Sequence, residues 1–183
     1  MRMKIFAVAS FLLLSAVFAE AQPTKLNMSK KESSITYKMV HPLHEIEATS
    51  KEADLQLEAD RSKKEIESVS ARVDVTTFDS GNSNRDSHAM EVIDAITYPE
   101  VTFASSSITQ VGDSLKVTGK LTFHGVTKDI VALAASKWFS DKLEVRGSFV
   151  LSLTEFKIER PSLLMIPVED ALRFTFMAVF GLN

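Results

Sequence analysis

Apolar and polar residues alternate with a period of two through several stretches of this chain, the mark of half-buried β-strands. In "SITYKM" Ile35, Tyr37 and Met39 share one side. In "VSARVDV" Val69, Ala71, Val73 and Val75 oppose Ser70, Arg72 and Asp74. "LKVTGKLTF" sets Leu115, Val117, Gly119, Leu121 and Phe123 against Lys116, Thr118, Lys120 and Thr122. "LEVRGSFVLSL" repeats the pattern with Leu143, Val145, Gly147, Phe149, Leu151 and Leu153, and "LRFTFMAVF" with Leu172, Phe174, Phe176, Ala178 and Phe180. "EADLQLEAD", "VTFASSSI" and "KDIVALAAS" are weaker versions. The pattern predicts about eight strands joined by short polar turns such as "VGDS" and "HGVTKD", hence an antiparallel sandwich or barrel. The charged "RSKKEIES" reads as a solvated turn leading into a strand. No internal repeat is evident.

Gly119 and Gly147 interrupt two of the strongest apolar rows. Glycine weakens a strand interior, so it marks either a bend that lets the sheet curl closed or a close approach to the backbone. Curvature is the expected reason, since closure also removes edge strands. If the rows face inward, the two glycines would also leave space in the lumen.

A single helix is predicted outside the N-terminal segment, over about residues 86–96 of "DSHAMEVIDAI", with Asp86 as N-cap and Met90, Ile93 and Ile96 on one face. Tyr98-Pro99 would stop it, because proline disfavours helical geometry in the residue before it. Between two strands, such a helix could cap one barrel mouth.

Met1–Lys4 carries two positive charges, Ile5–Phe18 is nearly all apolar, and "AEA" follows at residues 19–21. This is the layout of a secretory leader, with cleavage expected after Ala21 and a mature chain from Gln22. Residues 22–183 then form one domain with a sizeable core. The apolar run is short for spanning a bilayer. The whole chain carries a net charge of −3, and loss of Arg2, Lys4 and Glu20 with the leader makes it more acidic. That balance argues against a nucleic-acid partner. With no cysteine there are no disulfides, thiolate chemistry, Cys-ligated zinc or Cys-linked lipid anchor.

Three motifs carry a resemblance. Asn82, Arg85, Asp86 and His88 form an N-x-x-R-D-x-H run. Tyr98, Pro99, Val101 and Phe103 form Y-P-x-V-x-F, and Gly119–Lys128 reads "GKLTFHGVTK". In this order and at these separations they resemble the YceI-like family of exported, lipocalin-like lipid-binding proteins, over roughly residues 33–180. Two segments depart from the family pattern, "EIEATSKEADLQL" and "IERPSLLMIPVEDAL". They bear on the ligand and on one barrel rim more than on the fold. The resemblance implies an all-β, antiparallel eight-stranded lipocalin-like barrel. Its elongated apolar cavity would hold a polyisoprenoid, isoprenoid quinone or fatty amphiphile, with no other cofactor.

Facing inward, the apolar rows would line that cavity with Tyr37, Met39, Val73, Val75, Met90, Ile93, Phe103, Val117, Leu121, Phe123, Val145, Phe149, Leu151, Phe174 and Phe176. Asn82, Arg85, Asp86 and His88 are candidates for a polar mouth, or else for holding the helix start through Asp86 and the turn through Asn82. "HPLH" offers His41 and His44, but residues three apart in a strand face opposite ways and Pro42 suggests a bulge or edge, so a rim role is expected rather than metal ligation. His88 and Glu91, three apart on the helix, fall short of a zinc ligand set. His124-Gly125 reads as a turn lock. No G-x-S-x-G elbow or glycine-rich phosphate loop is present. "ERPSLLMIPVED" is either a rim loop packed on the barrel, or an apolar lip for lipid entry or membrane contact.

The expectation is therefore a non-enzymatic carrier of a long-chain apolar ligand, exported to a periplasm or secreted. Its expected partners are that lipid, a transient membrane surface and a second copy of itself. The alternatives are an envelope hydrolase or lipid-modifying enzyme using His88, Asp86 or Glu91, and a ligand-free scaffold.

Overall fold

The computed structural model describes residues 23–182, so the expected leader and its expected cleavage point lie outside the described residues. In chain order the strands are β1 (Thr24–Asn27), β2 (Ser34–His41), β3 (His44–Ser50), β4 (Asp54–Asp60), β5 (Glu65–Asp74), β6 (Glu100–Val111), β7 (Ser114–Phe123), β8 (Val126–Trp138), β9 (Lys142–Ser152), β10 (Ser162–Leu163), β11 (Ile166–Pro167) and β12 (Ala171–Gly181). Helix α1 (Ser83–Val92) lies between β5 and β6. Ten strands form one antiparallel sheet in the order β1-β4-β5-β6-β7-β8-β9-β12-β2-β3, and β10 and β11 form a separate hairpin. The all-β class and the curled antiparallel sheet follow from the alternation. The count of eight does not, because β1 and β3 add two strands.

The curl is fastened by isolated contacts rather than by a continuous ladder. Past the end of β1, Met28 bridges to Phe180, and the Ser29 amide donates to the Val179 carbonyl at 2.8 Å. At the other edge Thr49 of β3 bridges to Asp79 with reciprocal amide bonds of 3.0 and 3.1 Å. Between these two fastenings the edges β1 and β3 share no strand pairing.

The predicted apolar rows point inward. In β7, Leu115, Val117, Leu121 and Phe123 are buried while Lys116 and Lys120 are exposed. The inward residues gather into two clusters along the barrel. One centres on Val75, Phe78, Phe123, Phe156, Ile158 and Phe174, the other on Leu57, Ile66, Leu143, Phe180 and Leu182. Val75 belongs to a short 3-10 turn, residues Val75–Thr77, instead of continuing β5.

The two strand glycines meet neighbouring aromatic rings. A β-carbon on Gly119 would stand 2.5 Å from Phe103 Cζ, and one on Gly147 would stand 2.5 Å from Phe176 Cζ. Opposite Gly119, the β6 pairing skips a residue between Ser105 and Ser107, a bulge that bends the strand. Close approach is thus the main reason for both glycines. The lumen space expected beside them is occupied by the two phenyl rings.

Helix α1 begins and ends differently from expectation. Asn82, not Asp86, is the N-cap, and its side chain accepts from the Arg85 amide at 3.1 Å. Asp86 sits in the first turn and accepts from the Ser80 amide at 3.2 Å. The helix stops well before Pro99. Asp94 takes a left-handed φ of 47°, its amide donates to the Glu91 carbonyl, and the Ala95 amide donates to the Met90 carbonyl. That pair of bonds is a Schellman closure. It buries Ala95 and leaves Ile96 97% exposed, so Ile96 is not on the packed face.

Candidate functional site

The inward rows enclose two adjoining apolar chambers. The larger contains about 1090 Å³ of space outside protein atoms, its open mouth included, and the smaller about 610 Å³. Ile35, Val73, Val101, Leu121 and Phe149 line both, so the chambers meet at one waist. There the rings of Phe149 and Phe174 stack at 4.7 Å with an interplanar angle of 7°. From Leu115 to Phe123 the inward row of β7 runs about 26 Å at ~3.3 Å per residue. The lumen is therefore elongated.

Of the residues predicted to line a cavity, Val73, Phe103, Val117, Leu121, Val145, Phe149 and Phe176 border the larger chamber. Tyr37, Val75, Met90, Ile93, Phe123, Leu151 and Phe174 border the smaller one. Met39 borders neither and packs against the adjoining core. Helix α1 forms a wall of the smaller chamber through Ala89 and Met90, with Ile93 just beyond its end. Sequence reasoning missed Ile66, Ile108, Ala132 and Phe78, which also line the chambers. Ala132 lies in the weak run "KDIVALAAS", whose outward Val131 and Leu133 blur the alternation.

Among the described residues the charged lining of the chambers is limited to Lys51 and Arg72, both on the larger one. They stand with Met28, Ser34, Ala53 and Leu55 around the unpaired stretch between β1 and β3. Arg72 also bonds Asp54 at 3.3 Å and Glu100 at 3.0 Å. The mouth of the larger chamber is thus a side seam with a charged rim, on which Arg72 is paired with two carboxylates.

The four residues expected at a polar mouth line neither chamber. Asn82 and Asp86 serve the helix start, as above. His88 is on the outer face of α1, 65% exposed and 3.7 Å from Glu91. Arg85 and Asp86 reach the lumen only electrostatically, through Tyr37. Burial pushes the Tyr37 phenol above its ordinary range, Asp86 adds to the shift, and Arg85 opposes it.

The histidines act mainly in turns. His41 and His44 face each other across the two-residue β2–β3 turn with rings 5.1 Å apart, so the expectation of opposite faces fails because the turn lies between them. His41 is buried; Nε2 donates to the Ile166 carbonyl at 2.9 Å and Nδ1 accepts from the Leu43 amide at 3.2 Å. His124 takes φ 49° and Gly125 φ 69°, a two-residue turn of the kind that matches strand twist. His124 Nδ1 donates to the Phe156 carbonyl at 3.0 Å, and its ring meets Tyr98 edge-on at 4.7 Å. Among the described residues no histidine is hydrogen-bonded to a hydroxyl, and no three His, Asp or Glu side chains converge on one point.

The fold and its hollow interior define a lipocalin-like β-barrel with an apolar lumen. The chain belongs to the YceI-like domain family, whose model matches residues 26–180. A UPF0312 protein of Pseudomonas putida is 29% identical over 159 residues, covering 81% of this chain and 83% of that protein. Protein YceI of Escherichia coli is 28% identical over 122 residues, 65% of this chain and 64% of that protein. Burkholderia cenocepacia BcnA superposes with a TM-score of 0.75 at 23% identity, covering 83% of this chain and 98% of that one. A polyisoprenoid binding domain from Saccharophagus degradans superposes at 0.62 with 11% identity, covering 86% and 97%. These two likenesses are of fold.

Proposed function

We propose that the protein binds and carries a long-chain apolar molecule, a polyisoprenoid, isoprenoid quinone or fatty amphiphile, inside its lumen. It acts in the cell envelope after removal of residues 1–21, by binding rather than catalysis, and needs no other cofactor. The observation that carries this reading is the pair of adjoining apolar chambers, whose charged lining among the described residues lies at the seam. Burial of each methylene from water is worth about 0.8 kcal/mol, so a long chain is held without hydrogen bonds. The charged rim at Lys51 and Arg72 gives a polar head group a place to stay wet while the tail is enclosed. The likeness to a polyisoprenoid binding domain supports the same class of ligand.

The test is native mass spectrometry of the mature protein purified without detergent, followed by organic extraction. A bound prenyl or acyl mass is expected. Protein that carries none, and takes up none when such lipids are added back, overturns the reading.

A further inference from the structure

The β10–β11 hairpin is built in an unusual way. Its two turn residues are Leu164 at φ 53° and Met165 at φ 63°. A turn with two positive φ values strongly favours Asn-Gly or Asp-Gly, because side chains with a β-carbon are strained there. Here the turn carries two large apolar side chains, and both face solvent. Leu164 is 76% exposed and Met165 94%, with Leu163 at 47% and Ile166 at 41% beside them. Strain of this kind at an exposed tip points to a role for the side chains themselves.

The stem, by contrast, is firmly held. Arg160 Nε donates to the Val168 carbonyl at 2.8 Å, and the Val168 amide donates to the Pro161 carbonyl at 2.9 Å. The Glu169 amide donates to the Val40 carbonyl at 2.8 Å. Buried His41 grips the Ile166 carbonyl and, through its other nitrogen, the amide of Leu43, which is itself 61% exposed. The hairpin thus presents a fixed, convex apolar tip, with Leu43 on the adjoining turn.

We propose that this tip docks the protein on a lipid surface by inserting Leu164 and Met165 at the boundary between head groups and acyl chains. Five apolar side chains on a protruding turn fall far short of the roughly 20–30 residues a side of a stable protein interface. A bilayer accepts such a protrusion without a matching pocket, to a depth of about 5–10 Å. Arg173 is paired with Glu169 at 2.8 Å and Lys38 with Glu45, so these two cations give no net attraction to anionic lipid. The docking is apolar and indifferent to lipid charge. It rests on the hairpin alone, whether or not the lumen carries a lipid.

The experiment is sedimentation of the mature chain with phosphatidylcholine vesicles, with and without added phosphatidylglycerol, in low and high salt. The variant L164N/M165G gives the turn residues that its geometry prefers, so the hairpin is retained. The wild type is expected to partition onto both vesicle types, with less than about a twofold loss in high salt. The variant is expected to partition at least about tenfold less, while its lipid content by native mass spectrometry is unchanged. Absence of vesicle binding by the wild type overturns the proposal, as does equal binding by the variant, or binding only to anionic vesicles at low salt. A wild-type dimer that L164N/M165G dissociates, with vesicle binding unaltered, assigns the tip to a second copy and also overturns it.

Discussion

The ring of Phe103 lies over Gly119 so closely that a β-carbon there would stand 2.5 Å from Cζ and 2.4 Å from the Ala104 carbonyl oxygen. The oxygen is backbone and cannot swing aside. Gly147 is placed alike, 2.6 Å from the Leu133 carbonyl oxygen and 2.5 Å from Phe176. Gly119→Ala and Gly147→Ala are therefore each expected to destabilise the barrel by about 1–3 kcal/mol through overpacking. Urea unfolding checks this through a lower midpoint at similar slope; an unchanged midpoint contradicts it.

Ala132 faces the larger chamber from β8. Ala132→Phe fills space there that a ligand tail would use. The variant is expected to keep its circular dichroism spectrum and to lose most of the lipid that is expected to co-purify with the wild type. Retention of the full lipid content in a folded A132F would place the ligand elsewhere.

Gly125 combines φ 69° with the Tyr98 ring, whose Cε1 would lie 2.6 Å from an added β-carbon. Gly125→Ala is expected to cost more than the roughly 1–2 kcal/mol of left-handed strain alone. His124→Asn keeps a residue suited to the turn but removes the bond to the Phe156 carbonyl, for a loss of about 0.5–1.5 kcal/mol. Thermal melts of the two variants should fall in that order.

Asp60 closes the turn between β4 and β5. It accepts from the Ser62 amide at 2.9 Å, the Ser62 hydroxyl at 2.6 Å and the Lys63 amide at 3.1 Å. The Ser62 hydroxyl, followed by the Lys63 amide, holds its carboxyl down to about 2. A folded-state value below the ordinary ~3.9 means that the ionised form stabilises the fold above about pH 4. The contribution fades as the pH falls toward 2. Asp60→Asn should melt below the wild type at pH 6, and the gap should close between about pH 4 and pH 2. A gap constant across that range would mean that the carboxylate charge is not what matters.

Much of this molecule is legible in its alternating rows because a hollow barrel keeps the period-two pattern of a solid one. β5, β7, β9 and β12 follow from their apolar sides. β3 was hidden because its inward residues are Ile46, Ala48 and Ser50, with one large apolar side chain among them. β1 has only four residues. The glycines were visible but their cause was not, since a ring arriving from the neighbouring strand leaves no local trace. Asp86 and Asn82 are both good caps by type, and four residues of spacing decided between them in three dimensions. The strained apolar turn at Leu164-Met165 could not be read, because turn signals rest on Asn and Gly.

The seam between β1 and β3 has a kinetic consequence. Elsewhere in the sheet, parting neighbouring strands breaks a run of backbone bonds. At the seam it breaks the small fastenings at Met28–Ser29 and Thr49–Asp79 and the 2.6 Å hydroxyl bond between Ser50 and Thr77. Opening at the seam is then expected to run on a clock separate from denaturation. The amides of Ser29 and Thr49 are expected to exchange with deuterium through an opening that leaves the β7 amides protected. A barrel hinged at this clasp could load and unload many times within the lifetime of one folded molecule.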